Sequence, residues 1–183
     1  SAITLSPGSS IRYDRLSFGK KERYIELAGK AFFNVNHLKN VPFHINTPLA
    51  DIQVLGTQFQ VVSTKDSTVT WIVSGKVRFS TSRQCTDLTQ NMRAIVNREN
   101  GQIQVSAKDH LNELAWKTHR LVYQNTPLRE VVADLEKLYQ IKLKNIPPQN
   151  LKLTATFDTM EISDILYIIN QTLDTNLTIT IQQ

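Results

Sequence analysis

The side chains able to carry chemistry are few and widely spaced. His37, His44, His110 and His119 have no glutamate at helical i, i+4 spacing, so the pattern of a helix-borne zinc site is absent. Asp14, Glu22, Glu26, Asp51 and Asp66 are the carboxylates a facing acid and base would draw on. Nothing in their spacing sets two of them across a glycosidic bond, and they read as solvated or turn residues. Cys85 is the only cysteine, which excludes an internal disulfide and a cysteine-rich metal site. Gly56-Thr-Gln-Phe59 lacks the second glycine, the lysine and the following helix of a phosphate loop. Trp71, Trp116, Phe32, Phe33, Phe59 and Phe79 could stack on sugars or bases, but aromatics on alternating strands are mostly core, and they are read as packing. No catalytic residue, metal or cofactor is assigned.

The elements must then carry the information. A chain of 183 residues, 40% hydrophobic and 20% charged, forms one large domain or two small ones with a real core. Lysine and arginine outnumber aspartate and glutamate 21 to 16, and the whole excess lies before Lys117. That basic bias would suit an acidic partner or an anionic surface, but no basic run exceeds Lys20-Lys21, so a solvated basic face is the simpler reading. No stretch approaches the roughly 18 apolar residues of a membrane helix, and no signal-peptide pattern opens the chain.

Glycine divides the sequence: all six precede residue 102. Before that point, short alternating runs rich in β-branched and aromatic residues predict an all-β unit. Tyr24–Leu27 and Ala31–Val35 flank the turn signal Ala28-Gly29-Lys30. Val69–Val73 and Lys76–Phe79 flank Ser74-Gly75 as a hairpin, and Arg93–Val96 and Gln102–Val105 form another. In Val54-Leu-Gly-Thr-Gln-Phe59 the inward parity changes hands, from Ile52 and Val54 to Phe59 and Val61. A bulge or tight bend at Gly56 is therefore expected, with Leu55 and Phe59 anchored in the core. A sandwich, a barrel and a short β-solenoid all fit this pattern.

A short helical turn over Asp109–Trp116, capped by Asp109, marks the join. Beyond it the period changes. Arg120–Tyr123 reads as a strand, and Asn125-Thr126-Pro127 as a helix start with Thr126 at the cap. Leu128, Val131, Val132, Leu135, Leu138 and Tyr139 form one apolar helical stripe. Ile162, Ile165, Leu166, Ile169 and Leu173 form a second, 34 residues on. With strands at Ile141–Leu143, Leu151–Phe157 and Leu177–Ile181, this half is a βαβ unit and its pseudo-repeat. Its chemistry is that of surfaces, and the edge-capable segments Leu121, Val122 and Tyr123, or Lys152, Thr154 and Thr156, are the candidate protein-binding residues. Charge or proline at Tyr123 or Thr154 is expected to weaken partner binding and leave the fold intact, unless those strands are internal.

The ordered motifs Leu27-Ala-Gly-Lys-Ala-Phe-Phe-Asn-Val35, Pro42-Phe43, Val54-Leu-Gly-Thr-Gln-Phe59, Gly75-Lys76-Val77, Trp116-Lys117, Asn125-Thr-Pro-Leu128 and Glu130-Val131 resemble the extracytoplasmic part of a FecR-family anti-sigma regulator of the Bacteroidetes type. Three positions depart from that pattern. Lys30 stands in place of glutamate, Leu88-Thr-Gln-Asn91 in place of a turn ending in glycine, and Thr118-His119 in place of a turn usually containing glycine.

The resemblance implies an all-β FecR domain, solenoid-like or sandwich-like, over 1–108, and a connection over 109–118. Over 119–183 it implies a βαββαβ domain similar to the signalling domains of secretins and TonB-dependent receptors. It implies no enzyme and no cofactor. The implied role is a periplasmic sensor that binds the signalling domain of an outer-membrane TonB-dependent receptor. The state would be relayed to an extracytoplasmic-function sigma factor through a membrane helix and a cytoplasmic segment that this sequence lacks. The alternative class is a carbohydrate-binding or cell-envelope adhesion module, raised by the β unit and its aromatics. A hydrolase ranks last, for want of a nucleophile and base.

Overall fold

The computed structural model describes residues 1–20, 22–107 and 112–180. The chain divides into two compact units, Ser1–Asp109 and His110–Gln183. Asp109, the expected helix cap, and His110 lie outside the described residues.

The first unit is built from β1 (Ala2–Leu5), β2 (Ser10–Arg12), β3 (Arg23–Val35), β4 (Phe43–Asn46), β5 (Asp51–Val54), β6 (Thr57–Ser63), β7 (Ser67–Ser74), β8 (Lys76–Ser80), β9 (Cys85–Thr89), β10 (Met92–Asn97) and β11 (Ile103–Ala107). They hydrogen-bond in the order β11-β10-β7-β6-β3-β4-β5-β8-β9, with β1 and β2 added to β3. Strand β3 belongs to two layers. Its first part pairs with β4 and β2, its second with β6 and β1, and Phe33 of one layer meets Phe43 of the other at 6.2 Å. The inward residues of both layers form one core, including Ile25, Phe43, Ile52, Val77 and Phe79 from the first and Ala31, Phe33, Phe59, Val61 and Ile72 from the second.

Three expectations change here. Tyr24–Leu27 and Ala31–Val35 are one strand of 13 residues, not two. Gly29 sits at φ +93°, and a Cβ there would lie 2.5 Å from the Ser9 hydroxyl, which accepts the Lys30 N–H at 2.8 Å. The glycine turns the strand between layers without ending it. Ser74-Gly75 is not a hairpin either: β7 pairs with β6 and β10, while β8 pairs with β5 and β9. Gly75, at φ +87°, is a corner between layers. The parity change at Gly56 has the same cause, since the chain leaves the layer of β5 and enters that of β6. Phe59 is fully buried as expected, but Leu55, on the bend itself, is 46% exposed.

These corners stack. A Cβ on Gly56 would lie 2.8 Å from His37 Cβ, and one on Gly75 would lie 2.8 Å from the Gly56 carbonyl. The buried Thr57 donates its hydroxyl to the Lys76 carbonyl at 2.9 Å. Beside them Arg23, 4% exposed, donates to Ser1 Oγ and the Asn36 carbonyl at 3.2 Å and to the Val41 carbonyl at 2.8 Å. The Leu55 carbonyl lies farther off, at 3.5 Å. Its guanidinium sits 5.3 Å from the Phe43 ring centre, and burial pushes its pKa down although it stays charged.

The second unit comprises α1 (Ala115–Thr118), β12 (Arg120–Pro127), α2 (Leu128–Tyr139), β13 (Leu143–Lys144), β14 (Lys152–Asp158), α3 (Ile162–Leu173) and β15 (Thr178–Ile179). β12 pairs antiparallel with β14, and β13 with β15. Strands equivalent under the 34-residue shift thus pair with each other, the arrangement a local two-fold relation between repeats produces. Both predicted stripes face one core, with Leu128, Val131, Val132 and Leu135 from α2 and Ile165, Leu166 and Ile169 from α3. Thr126 does not cap α2. Pro127 occupies the cap position, and the Thr126 hydroxyl accepts the Gln124 N–H at 3.1 Å instead.

With no glycine in this unit, side-chain-bearing residues make the left-handed turns: His119, Asn125, Gln140, Asn145, Thr159 and Asp174 all have φ between 48° and 61°. Asn91 (φ 63°) and His119 (φ 54°) occupy the turns where the related pattern carries glycine, so the turn geometry survives and only its residue changes.

Two outcomes follow for stability. Arg23→Ala should cost about 2 kcal/mol in urea denaturation, because the half-buried bonds to the Asn36 and Val41 carbonyls and the packing on Phe43 are lost at once, and Arg23→Lys should rescue little of it. Gln140→Gly, at the exposed left-handed C-cap of α2, should raise stability by about 0.5–1 kcal/mol in the same assay.

Candidate interaction edge

The sequence-derived candidates all lie on the β12–β14 ribbon, whose register runs Arg120↔Asp158, Leu121↔Phe157, Val122↔Thr156 and Tyr123↔Ala155. Alternation splits them into two sets. Leu121 is 2% and Tyr123 1% exposed, with the Tyr123 ring 6.2 Å from that of Phe157, so both side chains belong to the core. Substitution at Tyr123 therefore strikes the core, against the expectation of an intact fold. Lys152, Thr154 and Thr156 point their side chains outward and are exposed.

The backbone of the same ribbon separates its two outer edges. The Val122 N–H donates to Asn112 Oδ1 at 2.8 Å and so points away from β14. Its cross-strand partner Thr156 belongs to the same non-hydrogen-bonded pair, and the Thr156 N–H and carbonyl point away from β12. Thr159 N–H, three residues on, reaches the His119 carbonyl at 2.8 Å, as the alternation requires. Beyond Tyr123 the register shifts: Asn125 is left-handed and its N–H donates to the Thr154 hydroxyl at 2.8 Å. Thr154 thus helps hold the bulge as well as lining the edge.

Asn112 is the residue that sequence reading missed. Its Oδ1 takes the outer N–H of β12, and its Nδ2 donates to Asp134 Oδ2 on α2 at 2.9 Å. Burial holds the Asp134 carboxyl above the ordinary carboxylate range, against the lowering effects of the Asn112 hydrogen bond and the Lys137 charge. Lys137 in turn pairs with Glu113 at 3.2 Å. The Tyr123 phenol is pushed well up, chiefly by burial and then by the Asp134 charge, and its oxygen has no hydrogen-bond partner among the described residues. No sequence signal announces this clip, because a lone asparagine in a predicted helical turn carries none. The edge of β12 is thus occupied by the chain itself. On β14, the outward N–H groups of Thr154 and Thr156 find no backbone acceptor among the described residues.

Among the described residues no group of three or more His, Cys, Asp or Glu side chains is placed to hold a metal ion. No described helix is long and apolar enough to cross a membrane.

The family described as FecR protein matches residues 1–78, and that described as FecR, C-terminal, matches residues 120–183. Two crystal structures of a candidate anti-sigma factor from Parabacteroides distasonis superpose with TM-scores of 0.66 and 0.65. Each is 26% identical in sequence, covering 99% of this chain and 90% of that one. No curated protein gives a significant match.

The buried acid sets a pH expectation. A carboxyl held above its ordinary pKa binds its proton more tightly in the folded chain than in the unfolded one. It costs stability above its folded pKa, and the cost fades as pH falls through that value. Asp134→Asn, which keeps an acceptor for Asn112, should melt higher than the natural chain at neutral pH. The gap should close toward about pH 4, the ordinary carboxylate range. Thermal denaturation across that window reads it.

Proposed function

The chain belongs to the FecR family, and from that premise we propose that it is the sensing part of an anti-sigma factor, acting through protein contact and not through catalysis. Its partner on the outer side is the signalling domain of a TonB-dependent receptor. The state so sensed is relayed to an extracytoplasmic-function sigma factor by a cytoplasmic segment of the regulator. The compartment is the periplasm, with the regulator tethered to the cytoplasmic membrane. The unit over residues 1–108 serves as scaffold, the stretch 109–118 as connection, and residues 119–183 as the signalling-type domain.

The observation that carries this reading is the asymmetry of the β12–β14 ribbon. A seven-residue strand with exposed Lys152, Thr154 and Thr156 has outward backbone groups with no backbone partner among the described residues, while the opposite edge is closed by Asn112. An incoming strand adds to such an edge with main-chain hydrogen bonds and displaces only water. Addition at β12 would first have to break the Val122–Asn112 bond. The family match and the similarity to a candidate anti-sigma factor support the regulatory class, and the edge supplies the means of contact. For binding to be relayed it must favour one state of the regulator over another, because equal affinity for both shifts nothing.

Proline separates the edge from the ladder. Thr156→Pro removes a donor that points outward and should leave the fold's circular dichroism and melting nearly unchanged, while cutting affinity for the cognate receptor's signalling domain at least tenfold in a calorimetric titration. Ala155→Pro, which removes an inward donor to β12, should unfold the ribbon. Undiminished binding by a folded Thr156→Pro variant would rule out the β14 edge.

A further inference from the structure

The outward face of the layer β2-β3-β4-β5-β8-β9 plays no part in the reading above, and the strand registers arrange it in two rows. One runs Tyr24, His44, Gln53, Arg78, Asp87, and the other Arg12, Glu26, Asn46, Asp51, Ser80, Cys85. The first row crosses five strands, a span of roughly 19 Å at ordinary strand spacing.

The side chains of this face are held in place. Tyr24 is 42% exposed, its hydroxyl accepts from Asn46 Nδ2 at 2.5 Å, and its ring lies 28° from parallel with that of His44, 6.4 Å away. Asp87 takes Lys76 Nζ at 2.9 Å and Arg78 Nε at 3.0 Å. The Arg78 hydrogen bond, then that of Lys76, lowers its pKa to about 2. His44 Nδ1 lies 3.5 Å from Asp51, and Arg12 lies 3.7 Å from Glu26. Two open clefts lie along the face. One, of 570 Å³, is bordered by Arg12, Glu26 and Asn46, and the other, of 360 Å³, by Gln53, Leu55, Arg78 and Asp87.

We propose that this face binds a neutral polysaccharide chain. The charges select the occupant. Arg12 pairs with Glu26, Lys76 and Arg78 share Asp87, and Asp51 lies beside His44, so three cations face three carboxylates and the face offers little net field to a polyanion such as nucleic acid, whose binding requires an excess of cations. A protein interface of useful strength needs a desolvated apolar centre, and here only Tyr24 and Leu55 expose large apolar surface. A sugar chain needs neither. It presents an apolar ring face to an aromatic such as Tyr24, and hydroxyls that exchange hydrogen bonds with paired amides, guanidinium and carboxylates while keeping bridging water. A row of polar groups, most of them held by neighbours, with one exposed phenol ring, crossing the span of a few linked hexoses between two clefts, matches that chemistry. The class first suggested by Trp71 and the phenylalanines returns on residues none of which was singled out for it. Phe33, Phe59 and Phe79 themselves are fully buried.

The experiment is affinity electrophoresis of the whole chain in native gels cast with soluble starch, hydroxyethylcellulose, xyloglucan or galactomannan, against a non-binding reference protein. Retardation in at least one gel is expected. Tyr24→Ala should weaken it at least tenfold, Tyr24→Phe should retain most of it, and Gln53→Ala should weaken it without touching the ring. Melting curves of each variant identify any that fails to fold, and the Gln53 variant then decides. No retardation in any of the four gels, or retardation that persists in both folded Tyr24→Ala and Gln53→Ala variants, overturns the proposal. Because receptor binding is read at β14, the two readings fail independently.

Discussion

A buried cation without a buried anion holds the first unit together. Arg23 is placed inward by the alternation of β3, in line with Ile25 and Leu27, and its charge is neutralised only by dipoles. An isolated ion in a dry core would be prohibitive, and the fold meets the cost by turning carbonyls of Asn36, Val41 and, at longer range, Leu55 toward its two terminal nitrogens, with Ser1 Oγ and the face of Phe43 beside them, while Nε has no hydrogen-bond partner among the described residues. Those carbonyls belong to segments that make no ladder with one another. The guanidinium therefore does for the 36–41 loop and the Leu55 bend what backbone pairing does for the strands. A fork of fixed geometry is needed for that, since a single ammonium cannot reach carbonyls in several directions.

The glycine corners depend on this gathering. Gly56 is packed on His37, within the loop that Arg23 fixes, and Gly75 is packed on Gly56. A chain that changes layers after β3, β5 and β7 must bring its corners close. Absent Cβ atoms at two of them let backbone approach backbone, while the Thr57 hydroxyl satisfies a carbonyl that the corner would otherwise strand. This accounts physically for the run Val54 to Phe59, which holds no reactive group and supplies a parity change, a close approach and a hydroxyl.

The legible features of the sequence were those written as periodicity. Both helical stripes and the Met92–Ala107 hairpin read directly, because a 3.6-residue or two-residue period over many residues leaves little choice. Pairing between distant strands was not legible. Ser74-Gly75 has the local chemistry of a hairpin turn, and only the global layering shows that its flanking strands go to opposite layers. Thr126 has the composition of a cap, yet a bulge at Gln124–Asn125 claims its hydroxyl. At the candidate site, the parity of β14 separates outward Thr154 and Thr156 from inward Leu153 and Phe157, and that much was readable. Which edge of the ribbon stays open was not, since it turns on one asparagine ten residues before Val122.

That asparagine bears on how contact at one edge could matter elsewhere. Asn112 joins three elements of the second unit through two hydrogen bonds: the turn before α1, the outer edge of β12 and, through Asp134, the buried side of α2. A strand seated on β14 extends the ribbon on one side only, and antiparallel pairs transmit twist to their neighbours, so the strand that feels the addition next is β12. If twist in β12 moves the Val122 N–H, either the Asn112 side chain follows, disturbing its bond to Asp134, or the bond breaks and leaves the Val122 N–H and Asn112 Oδ1 without each other. Either course gives two states of the turn before α1 that differ by about the worth of one or two partly buried hydrogen bonds, a scale of about 1–3 kcal/mol. That is the range in which binding at one place alters an equilibrium at another without unfolding the domain that carries it.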